Sequence, residues 1–236
     1  MATRMPAVAG RFYPGSRQAL LTDLDRYTVA ADERLAARGV VAPHAGYMYS
    51  GAVAGAVYGA VDVPARLVIL CPNHTGLGEP LALMGRGDWR TPLGDAAIDT
   101  ALAAALVRAL PELADDESAH RFEHSLEVQL PFIQRRNPEA RFVPVCVGTA
   151  NLALLLRLGD ALAAVVAGGA FDGDDAAQLE LLEASGARML QARDDVLALR
   201  ARVGVSQNAV ERAKAERTSE RDTLDLARTR MTTVDE

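Results

Sequence analysis

Four histidines occur in the chain, His44, His74, His120 and His124, and all lie before residue 125 of 236. Two stand in matching surroundings. His44 sits in Ala42-Pro43-His44-Ala45-Gly46-Tyr47 and His74 in Pro72-Asn73-His74-Thr75-Gly76, each after a short apolar run and each flanked by proline and glycine. Proline fixes the direction in which the chain leaves the apolar run, and glycine permits a tight turn beside the imidazole. If both runs are strands of an open α/β sheet, the two imidazoles meet in the crevice at the strands' carboxyl ends, although thirty residues separate them. Two converging imidazoles are the beginning of a transition-metal site, which usually needs at least three protein ligands. The alternative is that each histidine only hydrogen-bonds a loop backbone.

A second cluster stands in His120-Arg121-Phe122-Glu123-His124-Ser125-Leu126-Glu127. If helical, the segment presents His120, His124 and Glu127 on one face. His124 is then a third ligand, a proton shuttle or a substrate donor, with Glu127 setting its tautomer. The competing reading is a polar helix entrance, with Glu123 and Glu127 favoured by the positive end of the helix dipole. The spacing differs from His-Glu-x-x-His, so a zinc protease is not indicated, and neither a nucleophile elbow nor a phosphate-binding glycine loop is present. Cys71 lies three residues before His74 and offers a soft thiolate if it faces the crevice. Cys71 and Cys146 both lie in apolar runs, however, so buried reduced thiols are the simpler expectation, and two cysteines make no disulfide framework.

The elements that must position these residues follow from periodicity. Ser16 is placed to cap a helix carrying Leu20, Leu21, Leu24 and Tyr27. A short strand is expected over 39–42 and a helix of small residues over 51–61. A strand covered on both faces is expected over 66–71, between Pro64 and Pro72. Further strands are expected over 81–84 and 141–147. An alanine-rich helix falls within 94–111, an amphipathic helix interrupted near Pro131 over 123–136, and a last helix over 152–166. This alternation is βαβ grammar and gives an α/β fold class. Beyond Phe171 neither aromatic residues nor proline occur. Stepping by seven from Leu182 through Met189, Val196, Val203, Val210, Arg217, Leu224 and Met231 traces a heptad stripe with one charge. A long helix or helical hairpin is expected there, packing on the first domain, on itself or on another chain.

Of the 236 residues 50% are apolar, enough for a substantial core, and the formal net charge is -6. A negative chain has no broad positive field for nucleic acid or acidic membranes. With neither a signal-peptide pattern nor an apolar run of roughly twenty residues, a soluble cytoplasmic protein is the expectation.

The phrases Ala7-Val8-Ala9-Gly10-Arg11-Phe12-Tyr13-Pro14, Ala42-Pro43-His44-Ala45-Gly46-Tyr47 with Tyr49-Ser50-Gly51, Pro72-Asn73-His74, Thr91-Pro92-Leu93-Gly94 and Glu123-His124-Ser125-Leu126-Glu127-Val128-Gln129-Leu130-Pro131-Phe132 together resemble the Memo family, whose bacterial members are called AmmeMemoRadiSam system protein B. The resemblance implies a sheet with helices like the class III extradiol dioxygenases. It further implies a mononuclear copper or iron site whose histidines match His44 and His74, with His124 matching a further histidine near the pocket. If active, such a protein is a non-haem metal-dependent oxidoreductase, and radical SAM and AMMECR-type proteins are its implied partners. The family's remaining ligand is a cysteine in a carboxyl-terminal half that also carries a Ser-Asp-x-x-His stretch, and this sequence matches neither. The resemblance stops near Val166. The expected organisation is thus a truncated Memo-like domain over 1–166, a Gly/Asp-rich linker over 167–176 and a helical tail over 177–236. In Asp195 to Gly204, Asn208 and the ending Val234-Asp235, the tail is similar to the carboxyl-terminal helix of flagellin and hook-associated proteins. Two functions from different classes follow. One is a metal-binding redox or dioxygenase-like protein with His44 and His74 as ligands and His124 and Glu127 as catalytic residues. The other is a non-catalytic chimera whose coiled-coil tail mediates assembly into a homo-oligomer.

Overall fold

A computed structural model describes residues 3–29 and 31–166. The chain divides into units Met1–Asp172 and Gly173–Glu236. The second unit lies outside the described residues, as do the expected linker, the heptad helix and the flagellin-like resemblance.

The described residues form mixed α/β sheets flanked by helices. The main sheet has the order β2-β7-β3-β6, with β2 at Arg66–Pro72, β3 at Leu81–Leu83, β6 at Ala114–Asp115 and β7 at Arg141–Val147. Strands β2 and β7 run parallel in full register, from Arg66 opposite Arg141 to Pro72 opposite Val147, whereas β3 runs antiparallel to β7. A small sheet joins β1 (Thr3–Arg4), β4 (Asp88–Thr91) and β5 (Gly94–Ala97), the last two as a hairpin.

Alternation along the strands builds two cores. Leu67, Ile69, Phe142 and Cys146 face a layer made of α1 (Arg17–Tyr27), α2 (Tyr47–Ala60) and α4 (Leu130–Arg136). Val68, Val143 and Val145 face α3 (Thr100–Ala109) and α5 (Leu152–Val165). β7, covered on both sides, therefore needs its continuous apolar run.

Ser16 caps α1, its hydroxyl accepting the Ala19 N–H. Pro131 starts α4 instead of interrupting a longer helix, because a proline in the first turn has no N–H to lose. Helices α1 and α2 approach closely through glycine. A Cβ on Gly55 would come within 2.3 Å of the Tyr27 carbonyl oxygen, and one on Gly59 within 2.2 Å of that of Val29.

Two expectations need correction. Residues 39–42 form no strand, and Val41 is exposed, because that short apolar run has no neighbouring ladder to join among the described residues. Strand β2 is not covered on both faces, since Leu70 lies open.

Candidate metal centre

His44 is delivered by the amino-terminal end of α2 and not by a strand end. The Pro43 carbonyl accepts a hydrogen bond from Gln129 Nε2 at 3.0 Å, the Ala45 carbonyl accepts one from Ser50 Oγ at 2.9 Å, and the Tyr47 N–H donates to the Phe12 carbonyl at 2.7 Å. The loop is therefore held on both sides of the imidazole.

His74 does follow β2, as its sequence context predicts. The Asn73 N–H extends the ladder to the Val147 carbonyl, and Asn73 Oδ1 then accepts from the Thr75 N–H, the Thr75 hydroxyl and the Gly76 N–H. Gly76 adopts φ +69°, a left-handed conformation that favours glycine. An asparagine-centred turn thus ends the strand and fixes where His74 points.

His124 arrives from a third direction. The segment around it is not one helix: a 3-10 turn at Glu117–His120 and another at Glu127–Gln129 flank it. Arg4 lines the break: its Nε donates to the His120 carbonyl at 3.0 Å, which also accepts the Glu123 N–H at 3.4 Å, and its Nη2 donates to the Glu123 carbonyl at 2.8 Å.

The outcome is convergence of His44, His74 and His124, whose nearest ring nitrogens all lie within 4.8 Å of one another. Ring centroids are 5.2 Å apart for His44 and His74, 4.6 Å for His74 and His124, and 6.0 Å for His44 and His124. Nitrogens sharing a tetrahedral ion at about 2.1 Å stand about 3.4 Å apart, the spacing that the set approaches. Imidazole nitrogens suit copper, iron or zinc as donors. His124 packs edge-on against Phe12, at 4.9 Å between centroids, and the His74 side chain is 41% exposed, so the site is open on the His74 side.

Glu123 arranges the set. Its buried carboxylate accepts the His74 N–H at 2.7 Å, meets His74 Nδ1 at 2.9 Å and accepts the Ser125 N–H at 2.9 Å. Its Oε1 also lies 3.5 Å from His124 Nδ1. Burial pushes this carboxyl up, but the hydrogen bonds from His74 and Ser125 outweigh it and hold the group at about 2. An ionised carboxylate at Nδ1 keeps the proton there and leaves Nε2 of His74 with a free lone pair. Burial, helped by the neighbouring His74 and His44 rings and opposed by the Glu123 carboxylate, holds the His124 imidazole below its ordinary value and favours its neutral form.

The other two members of the predicted cluster go elsewhere. Glu127, expected to orient His124, instead accepts from Arg4, from the Ala7 N–H at 2.8 Å, the Val8 N–H at 3.0 Å and the Tyr13 hydroxyl at 2.8 Å. It anchors the amino-terminal segment, and the carboxylate beside the imidazoles is that of Glu123, for which the sequence alone suggests only a place at the positive end of a helix dipole. No periodicity distinguishes the two carboxylates; only the Glu123-His124 adjacency hinted at it. His120 is fully buried against Trp89, at 5.8 Å between centroids, and takes no part in the triad. Cys71 lies on the core side, directly opposite Cys146, where a hydrogen bond to that thiol and burial push it up and keep it protonated.

Comparison with known proteins places this architecture. A family model described as Memo-like protein matches residues 4–170. The chain is 44% identical over 173 residues to the MEMO1 family protein of Methanopyrus kandleri, covering 67% of this chain and 61% of that one. It is 47% identical over 148 residues to the MEMO1 family protein of Archaeoglobus fulgidus, covering 61% and 54%, and 40% identical over 181 residues to that of Caldivirga maquilingensis, covering 71% and 64%. The chain therefore spans between 54% and 64% of the length of these curated relatives. With the sequence phrases, the mixed sheet and the extent of the family match in agreement, the chain belongs to the Memo-like protein family.

Proposed function

We propose that this domain holds a single transition-metal ion on His44, His74 and His124, with Glu123 orienting His74 from behind, and that the ion serves redox or dioxygenase-like chemistry. The observation that carries the reading is the approach of three ring nitrogens to within 4.8 Å from three separate elements. Copper and iron are the metals implied by the resemblance to the Memo family, and either supplies one-electron and dioxygen chemistry when bound.

The protein's own contribution is positional. The turns at His44 and His74 are fixed by hydrogen bonds between side chains and the backbone, so the ligands are organised before an ion arrives, which lowers the ordering cost of binding. His124, backed by Phe12 and with its side chain 23% exposed, is the third ligand, and the opening for an entering molecule lies at the more exposed His74. Radical SAM and AMMECR-type proteins, implied by the same resemblance, are proposed partners.

Titration of the purified chain with Cu(II), and anaerobically with Fe(II), tests the assignment. Wild-type protein is expected to bind one equivalent, and the double variant His44→Ala/His74→Ala to lose that binding. Unchanged stoichiometry and affinity in the variant would remove these residues from the site.

A further inference from the structure

The chain carries two cysteines, Cys71 and Cys146, and both are free and buried. A buried thiol usually serves as a small apolar filler. These two, far apart in sequence, are direct neighbours in space. Cys71 on β2 stands opposite Cys146 on β7 in the parallel ladder, and both side chains lie in the core layer that holds Ile69 and Phe142.

A hydrogen bond joins the sulfurs. The Cys71 thiol, pushed up by that bond and by burial, donates to Cys146, whose thiol the same bond holds below its ordinary value against the opposing effect of burial. The pair therefore loses its first proton at Cys146 and keeps the second between the sulfurs, which makes one thiolate available for reaction. Cys146 Sγ also lies 3.8 Å from the Pro72 and Ala119 carbonyl oxygens. Two carboxylates nearby, Glu123 and Asp116, disfavour a lasting thiolate at Cys146, whereas a disulfide carries no charge.

The ladder also permits the bond. Neighbouring strands stand about 4.8 Å apart, inside the window of about 4.4 to 6.8 Å that a disulfide needs between Cα atoms. That spacing is at the short end, so the closed bond departs from its preferred geometry and is correspondingly easy to reduce.

We propose that Cys71 and Cys146 form a reversible dithiol site, closed to a cross-strand disulfide by a hydroperoxide and reopened by a small thiol. One sulfur attacks a peroxide oxygen; the O–O bond breaks, one oxygen stays on sulfur as S–OH, and the other leaves as water with the thiol proton. The second sulfur then displaces the S–OH oxygen. An S–S bond forms, and a second water leaves with the second thiol proton. The sulfurs give up two electrons and the peroxide takes them. Reopening consumes two small thiols, which leave joined as their own disulfide. The bond closes at the strand end that presents His74, because the Asn73 N–H bonds the Val147 carbonyl just beyond it. The inference needs no ion at the histidines and stands apart from the metal assignment.

The test exposes the reduced full chain to hydrogen peroxide, without denaturant and with a chelator present. The chain is then quenched, denatured, alkylated and weighed. The expected product is lighter by two hydrogens, takes up no alkyl group, yields a linked Cys71–Cys146 peptide and keeps the circular dichroism of the reduced chain. Reduced glutathione should restore both alkylation sites. Cys71→Ala should consume peroxide at least tenfold more slowly, because it loses both the donated hydrogen bond and the second sulfur. Several results overturn the inference: two thiols still open to alkylation, oxidation to sulfinic acid without a link, a link between two chains, a link formed only with loss of the fold, or a link that glutathione leaves intact. Peroxide consumption by Cys71→Ala at the wild-type rate would equally contradict it, and the wild-type readouts decide the matter should that variant fail to fold.

Discussion

An imidazole ligates a metal only when one ring nitrogen keeps its lone pair free, and at His74 the Glu123 carboxylate secures this by occupying the Nδ1 side. Glu123→Gln keeps the shape and removes the charge. The variant is expected to fold and to bind Cu(II) about 10- to 100-fold more weakly, the usual cost of losing an orienting carboxylate, measured by competition with a chromophoric chelator. Glu127→Gln is the informative contrast. It breaks a buried ion pair with Arg4 and is expected to cost about 3 to 5 kcal/mol of stability in urea titration, while the folded fraction keeps its metal affinity within about threefold. Equal effects of the two substitutions on affinity would contradict the division of roles. His44, His74 and His124 were legible in the sequence because proline, asparagine and glycine around the first two announce fixed turns, and because the phrase around His124 carries the family resemblance. Which carboxylate serves the site was not legible, since a helical reading of 120–127 places the wrong glutamate near His124. At that break the His120 and Glu123 carbonyls accept from Arg4, about 120 residues upstream, a contact that no local pattern reports.

At the scale of elements, the helix pair α1 and α2 sets the position of the His44 turn, and its closeness depends on glycine. Gly55→Ala forces a Cβ against the Tyr27 carbonyl, where backbone on both sides leaves no flexible group to yield. The expected cost is about 1 to 3 kcal/mol in thermal or urea unfolding, with a loosened His44 site as a secondary effect. A variant as stable as wild type would show that α1 and α2 separate without penalty. Strands β2, β3 and β7 and helices α3 and α5 were legible because their apolar runs are long or periodic and are bounded by proline, glycine or asparagine. The hairpin of β4 and β5 was not, because its strands carry Asp88, Arg90, Asp95 and glycine, and their pairing depends on tertiary contacts instead of hydrophobic alternation. The run at 39–42 misled for the opposite reason: it is apolar but has no partner strand.

For the molecule as a whole, acid stability follows from two buried titrating groups. Burial, reinforced by the Arg4 charge, lowers the His120 imidazole from 6.5 to about 4, so its neutral form favours the fold. That contribution is complete above pH 6.5 and is lost as pH falls towards 4, a total on the order of 3 kcal/mol. Glu123, lowered from 4.5 to about 2, adds a second loss at lower pH, between 4.5 and 2. His120→Leu should therefore flatten the dependence of urea stability between pH 7 and pH 4.5; a variant with the wild-type slope would assign that limb to other groups. Among the described residues no helix is long and apolar enough to cross a membrane. Family membership and the convergence of three histidines from separate elements support one central claim, that the domain gathers three imidazoles around one ion. Pulsed electron paramagnetic resonance of the chain loaded with one equivalent of Cu(II) addresses it most directly, because the remote nitrogens of coordinated imidazoles modulate the signal. The account predicts modulation from three imidazoles, falling by one in each of His44→Ala, His74→Ala and His124→Ala. A spectrum without imidazole modulation, or one unaltered by all three substitutions, would contradict it.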